Sequence, residues 1–316
     1  MSSGGTTSSL KEPVLGGDWL SVPPATHHTL RAIAFADEAR AVAAGQGGAL
    51  LRSEDAGRTW RRIASRTART FYALGFANRE VALAVGTAGL ALRSSDAGRD
   101  WLPLAPLGRD TVYSVSLHAS GFGVAGGERG SVLMTRNFGT SWEKRPTWTR
   151  RAVRRVAAVS PTTAWAVGDE GTVLTSHDTG SHWKHLRTET SEDLLGLYFP
   201  TPTLGWIVGR FGTILHTRDG GETWTTQRPE QRQRDFYAVC FTSVAEGWVT
   251  GGGRGTFYSP IEHTVDGGLT WHSHPSHTTD PLFDLATNGA GIVCAVGRFG
   301  RVLRLSGTKS GWGAQT

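Results

Sequence analysis

The chain has 316 residues, 19% of them charged, and a formal net charge of +6, a balance that excludes a disordered acidic chain. No stretch approaches the roughly 18 consecutive apolar residues of a membrane-crossing helix. The unusual counts are 42 Gly, 12 Trp and only 4 Lys among 33 basic residues, which point to many tight turns and a repeated aromatic position rather than long helices.

In chain order, residues 1–17 are polar and lack the apolar core of a signal peptide, so a flexible segment and a cytoplasmic location, peripheral to a membrane, are expected. A removed leader would change that to the periplasm or a lumen. The D-W-L-S-V run at 18–22 reads as a short strand. From there to residue 306 the sequence repeats, and 307–316 reads as a tail. Trp19, Trp60, Trp101, Trp142, Trp183 and Trp224 are spaced by 41 residues, followed by Trp271 after 47 and Trp312 after 41. Before each inner tryptophan stands a variant of T-x-D-x-G-x-T-W, as in S-E-D-A-G-R-T-W (53–60) and T-R-D-G-G-E-T-W (217–224). A glycine pair lies further upstream in seven copies, for example AVGTAG (84–89) and AVGRFG (295–300).

Each unit of about 41 residues holds four short apolar or alternating runs, such as FYALGFAN, VALAVG, LALRSS and DWLPL, which read as strands a to d. Four strands per unit define a propeller blade. The a strands begin near Leu30, Phe71, Val112, Val153, Leu194, Phe236 and Leu282. The fold expected is all-β, a seven-bladed β-propeller of four antiparallel strands per blade. The seventh unit lacks strand d, and the Trp19 segment is expected to supply it and close the ring; Trp312 is the competing candidate, but its box has lost the Asp.

The repeated T-x-D-x-G-x-T-W segment is the Asp box, or bacterial neuraminidase repeat. Its acids Asp55, Asp96, Asp178, Asp219 and Asp266, with Asn137 in the third copy, are expected to accept turn amides rather than to catalyse. Trp60, Trp101, Trp142, Trp183, Trp224 and Trp271 are expected to wedge between strands or blades. The nearly complete motif at Gly205–Trp224, G-W-x-V-G-x-x-G-x-I-L-x-T-x-D-G-G-x-T-W, resembles the photosystem II assembly and stability factor family of cyanobacteria and plastids. That resemblance implies a seven-bladed propeller without enzymatic activity, binding subunits of a membrane-embedded complex, a photosynthetic one, through a surface arginine patch.

The topology sends the b–c and d–a loops to one face and the Asp boxes to the other. The first face receives Arg129, Arg210, Phe211, Arg254, Arg298 and Phe299 at b–c tips, and Arg66, Arg69, Arg150, Arg151, Arg154, Arg155, Arg232 and Arg234 from d–a connections. These form the expected partner-binding set. Guanidinium forks suit carboxylates and phosphates, so an acidic protein is the expected partner and anionic lipid headgroups a further one. Nucleic acid is disfavoured, because aromatics do not interleave the basic runs.

The alternatives are an Asp-box glycoside hydrolase and a carbohydrate-binding propeller. A hydrolase needs two carboxylates roughly 5–10 Å apart, and the acids outside the boxes, Asp169, Glu170, Glu189, Glu192 and Asp193 with Asp110 and Asp235, come from strand ends that do not converge. A lectin would show an exposed aromatic in each blade. His272 and His274 share one side of a strand but lack a third ligand, and Cys240 and Cys294 read as buried thiols. No catalytic residue, metal or cofactor is expected.

Overall fold

The computed structural model describes residues 17–227, 234–253 and 261–307. These form seven four-stranded antiparallel sheets. In blade one strand a is Leu30–Phe35, b is Ala41–Gly45, c is Leu50–Ser53 and d is Arg61–Arg62. The seventh blade has three strands from the chain's end, Leu282–Thr287, Ile292–Gly297 and Val302–Ser306. Its fourth is Leu20–Val22, which pairs antiparallel with Val302–Ser306, Leu20 opposite Arg304. The N-terminal strand therefore closes the ring, as the Trp19 register implies. Trp312, Arg232, Arg254 and the Ser259–Pro260 end of the blade-six insertion lie outside the described residues.

The core is distributed over seven apolar clusters, one per seam between blades. The seam between blades one and two holds Val42, Leu50, Phe71, Leu74 and Trp101. That between blades six and seven holds Trp19, Trp248, Leu282 and Leu303, where the Trp19 and Trp248 rings meet edge to face with centroids 5.6 Å apart. Strand b is buried along its whole length in blades one to five and in all but one end residue in blades six and seven, on both sheet faces, so its apolar runs do not alternate. Glycine serves close approach. A Cβ on Gly45, at the end of strand b, would lie 2.0 Å from the Thr29 carbonyl oxygen.

The Asp boxes shape the c–d turns. Asp55 Oδ1 accepts the Thr59 amide at 2.8 Å, and Asp178 Oδ1 accepts that of His182 at 2.9 Å. Asn137 does the same for Ser141 at 3.0 Å. Burial pushes the Asp178 carboxyl up, but the His182 amide and ring and the Ser176 hydroxyl outweigh it and hold it at about 2. The Thr223 hydroxyl and amide, with the Thr217 hydroxyl, hold Asp219 at about 2. The box glycine then meets the preceding blade: Gly221, at φ +82°, faces the Trp165 ring so closely that a Cβ would lie 2.2 Å from it. The Trp60, Trp101, Trp142 and Trp183 indoles each donate to the carbonyl of the box glycine three residues back.

Arginines tie neighbouring boxes together. Arg52 Nε donates to the Ala97 carbonyl at 3.2 Å, Arg93 Nε to Phe138 at 3.2 Å and Arg304 Nε to Ala56 at 2.9 Å. All three acceptors sit at positive φ, which turns their carbonyls toward the previous blade. Arg52 and Arg304 are buried. Part of the arginine excess thus lies on the Asp-box side as links between blades.

Candidate functional site

The six b–c tips among the described residues are built alike. Each ends strand b on glycine and enters a short turn whose middle residue has positive φ: Arg129 (55°), Glu170 (53°), Phe211 (55°) and Phe299 (53°). This conformation lifts the side chain off the face, and Phe299 is 62% exposed. The d–a turns use the same device at Arg66 and Trp148. Trp148 is 89% exposed, the most exposed of the large apolar side chains described. It stands beside Arg150 and Arg151, and sequence reasoning passed over it although it breaks the 41-residue register of its siblings.

At the centre of this face the channel opens in a cavity of about 360 Å³. Strand a carries a register shift in every blade, after its first ladder residue in six of them and after Phe236, the third, in blade six, a bulge that re-aims one side chain. The re-aimed residues are Arg31, Tyr72, Tyr113, Arg154, Leu195, Tyr237 and Phe283, and all seven line the cavity. They pack on one another around the mouth. The Arg31 guanidinium lies 4.3 Å from the Phe283 ring centre and 5.7 Å from that of Tyr72. Arg154 lies 4.7 Å over Tyr113, Tyr72 meets Tyr113 edge-on, and Tyr237 stacks on Phe283. Such cation–π contacts favour a fixed guanidinium orientation.

Six of the ten expected arginines among the described residues have carboxylate partners. Arg154 grips Asp169 with Nε at 2.7 Å and NH2 at 2.9 Å. Arg151 pairs with Glu170, Arg129 with Asp110, Arg210 with Asp193 at 3.0 Å and Arg234 with the buried Glu262. Asp110, Asp169, Glu170 and Asp193 are therefore spent on guanidinium groups. Arg154 and Arg155 belong to strand a, Val153–Ala158, and not to the d–a connection where the charge pattern put them. Arg66, Arg69, Arg150 and Arg298 are exposed and have no side-chain partner among the described residues.

Arg155 faces inward. Its NH2 group is 2.7 Å from Asp284 Oδ1, a contact between blades four and seven. Asp284 is 2% exposed and its Oδ2 also accepts the Ile33 amide at 3.0 Å. The pair forms a floor: Arg155 lines both the mouth and a second cavity of about 250 Å³ that opens toward the Asp-box side.

No group of three His, Cys, Asp or Glu side chains among the described residues is placed to hold a metal ion. His272 is exposed, and His274 sits against Trp248 with ring centroids 5.4 Å apart. Cys240 and Cys294 are buried free thiols. Burial raises both thiols, Cys294 to about 12, which suppresses thiolate chemistry.

Fold and face define a seven-bladed Asp-box propeller with an arginine- and aromatic-lined channel mouth. Residues 181–281 match the family described as Photosynthesis system II assembly factor YCF48, which bears out the resemblance carried by the repeats. The chain is similar in structure to YCF48 bound to D1 peptide, with a TM-score of 0.76 and 20% identity over 93% of this chain and 99% of that one. YCF48 from Cyanidioschyzon merolae gives 0.74 and 21%, over 92% and 99%. A GH74 xyloglucanase from Xanthomonas campestris gives 0.71 and 13%, over 92% of this chain and 53% of that one. At these identities the likeness is one of fold. No curated protein matches the chain.

Proposed function

We propose that the protein is a non-enzymatic interaction propeller that docks on a protein subunit of a multi-subunit membrane complex, photosystem II by family resemblance, and assists its assembly or stability. The observation that carries this reading is the set of exposed, unpaired arginines on one face, Arg66, Arg69, Arg150 and Arg298, accompanied by Trp148 and Phe299. Arginine and tryptophan are the residues that most often anchor interfaces, and unpaired exposed guanidinium groups steer acidic partners. The D1 peptide bound by a structural relative supports a protein partner. In this reading the protein works at the membrane surface, and anionic headgroups beside the partner add to the attraction.

Two observations weigh against the alternatives. Asp110, Asp169, Glu170 and Asp193 on the b–c and d–a face are committed to arginines, and Asp235, the one carboxylate lining the mouth, has no second acid beside it there, so the pair of acids a glycosidase needs is not assembled at the mouth. The mouth does carry aromatic rings in four blades, as a sugar-binding site would, but Arg31, Arg154 and neighbouring rings already cover their faces.

The test is affinity capture from solubilised native membranes with the wild type and with Arg66, Arg69 and Arg150 all changed to Glu. The docking reading expects a photosystem or other membrane-complex subunit with the wild type and its loss with the variant at unchanged melting temperature. Equal capture by both proteins refutes it.

A further inference from the structure

The four guanidinium groups lining the mouth are not equivalent. Arg154, Arg155 and Arg210 are each held by an aspartate, Asp169, Asp284 and Asp193. The Arg31 side chain has no carboxylate and no hydrogen-bond partner among the described residues, and its Nε is buried without one. A buried N–H left unbonded is costly, and a guanidinium sandwiched between Phe283 and Tyr72 is held ready at no further entropic cost. The one carboxylate in the lining, Asp235, stands in blade six, and its Oδ1 accepts a hydrogen bond from the Phe211 amide at 3.1 Å.

We infer that the mouth is a receptor for one carboxylate side chain, an aspartate or glutamate carried next to an apolar residue in an extended peptide segment, with Arg31 as its counter-ion. This rests on the docking reading and assigns the contact at its centre. A cavity of about 360 Å³ is at the small end of ligand sites and admits side chains, not a folded domain. The Arg155–Asp284 floor stops a chain from threading through, so the segment must lie across the mouth and lower one side chain into it. Arg31 meets the carboxylate while the edges of the Phe283 and Tyr237 rings, whose faces are covered, contact the apolar neighbour. The rim arginines draw the acidic segment in, and the mouth fixes its register.

A random dodecapeptide library displayed on phage and selected against the full chain tests this. The enriched peptide is then measured by calorimetry against its Glu→Gln counterpart and against inorganic phosphate. The expected result is an acidic residue beside an apolar one. Glu→Gln in the peptide and Arg31→Gln in the protein each weaken binding by about tenfold, the range of one charge-assisted hydrogen bond, and the two changes together weaken it no further. Arg31→Lys, which keeps the charge but loses the fork, recovers part of the affinity. Enriched peptides without an acid, undiminished binding by Arg31→Gln, or phosphate that displaces the peptide at equal strength overturns the proposal. Membrane capture by Arg31→Gln separates the two readings: if the peptide result fails while capture still depends on Arg66, Arg69 and Arg150, only the mouth is wrong.

Discussion

Arg304 donates its Nε to the Ala56 carbonyl at 2.9 Å and so joins the last blade to the first by the bond that Arg52 makes to Ala97. These are structural arginines, and their removal leaves a buried carbonyl unpaired. Arg52→Met should cost about 1–3 kcal/mol, which thermal unfolding would show as a melting point lower by several degrees. An unchanged melting point would mean that water replaces the bond.

The Arg155–Asp284 pair predicts coupling between blades 129 residues apart in sequence. Arg155→Met leaves a buried carboxylate alone and should cost about 3–5 kcal/mol. Adding Asp284→Asn, which can still accept the Ile33 amide, should recover most of that loss, and the double-mutant cycle measures the coupling. A charge reversal at Arg155 therefore tests stability before it tests docking.

Closure by the first strand predicts that Trp19→Ala costs about 3–5 kcal/mol, because the indole fills the seam against Trp248. Removing residues 1–22 should lower the melting point further, since it also bares the edge of Val302–Ser306. A truncated chain that melts like the full one would show that another segment closes the ring.

Acid should weaken the ring in two steps. Burial, aided by Arg218, pushes the His216 imidazole down from 6.5 to about 4. Its folded value lies below its unfolded one, so stability is full above pH 6.5 and falls as the pH drops toward 4. His216→Phe, which keeps the stack on Trp206, should flatten the melting curve in that window. The second step follows from Asp178 and Asp219, held at about 2 from 3.8. Their contribution is present above 3.8 and is lost as the pH falls to about 2, and Asp178→Asn should shrink this decline.

The seven strand-a starts, the turns and the closing segment are legible in the sequence, because Trp and Gly at a fixed period report packing that every blade must repeat. The charge network is not. Arg155 and Asp284 stand in different blades, so their pairing has no local signature, and a net charge of +6 reads as a free surface when much of it is neutralised in place. The mouth had a signal that alternation concealed. The residue after each strand-a start expected from the sequence, read down the seven copies as Arg31, Tyr72, Tyr113, Arg154, Leu195, Tyr237 and Phe283, is a column of aromatics and arginines with one leucine. A bulge turns that column inward, and periodicity alone treats it as an ordinary half-exposed position.

The left-handed tips separate chemistry from architecture. Glycine, alanine, arginine, glutamate and phenylalanine all occupy the same turn conformation in different blades, and the backbone bonds that shape it do not involve the side chain. Each non-glycine tip sacrifices about 1 kcal/mol for its left-handed backbone. The rim is therefore a row of interchangeable sockets, where partner preference can be rewritten one tip at a time without disturbing the ring beneath.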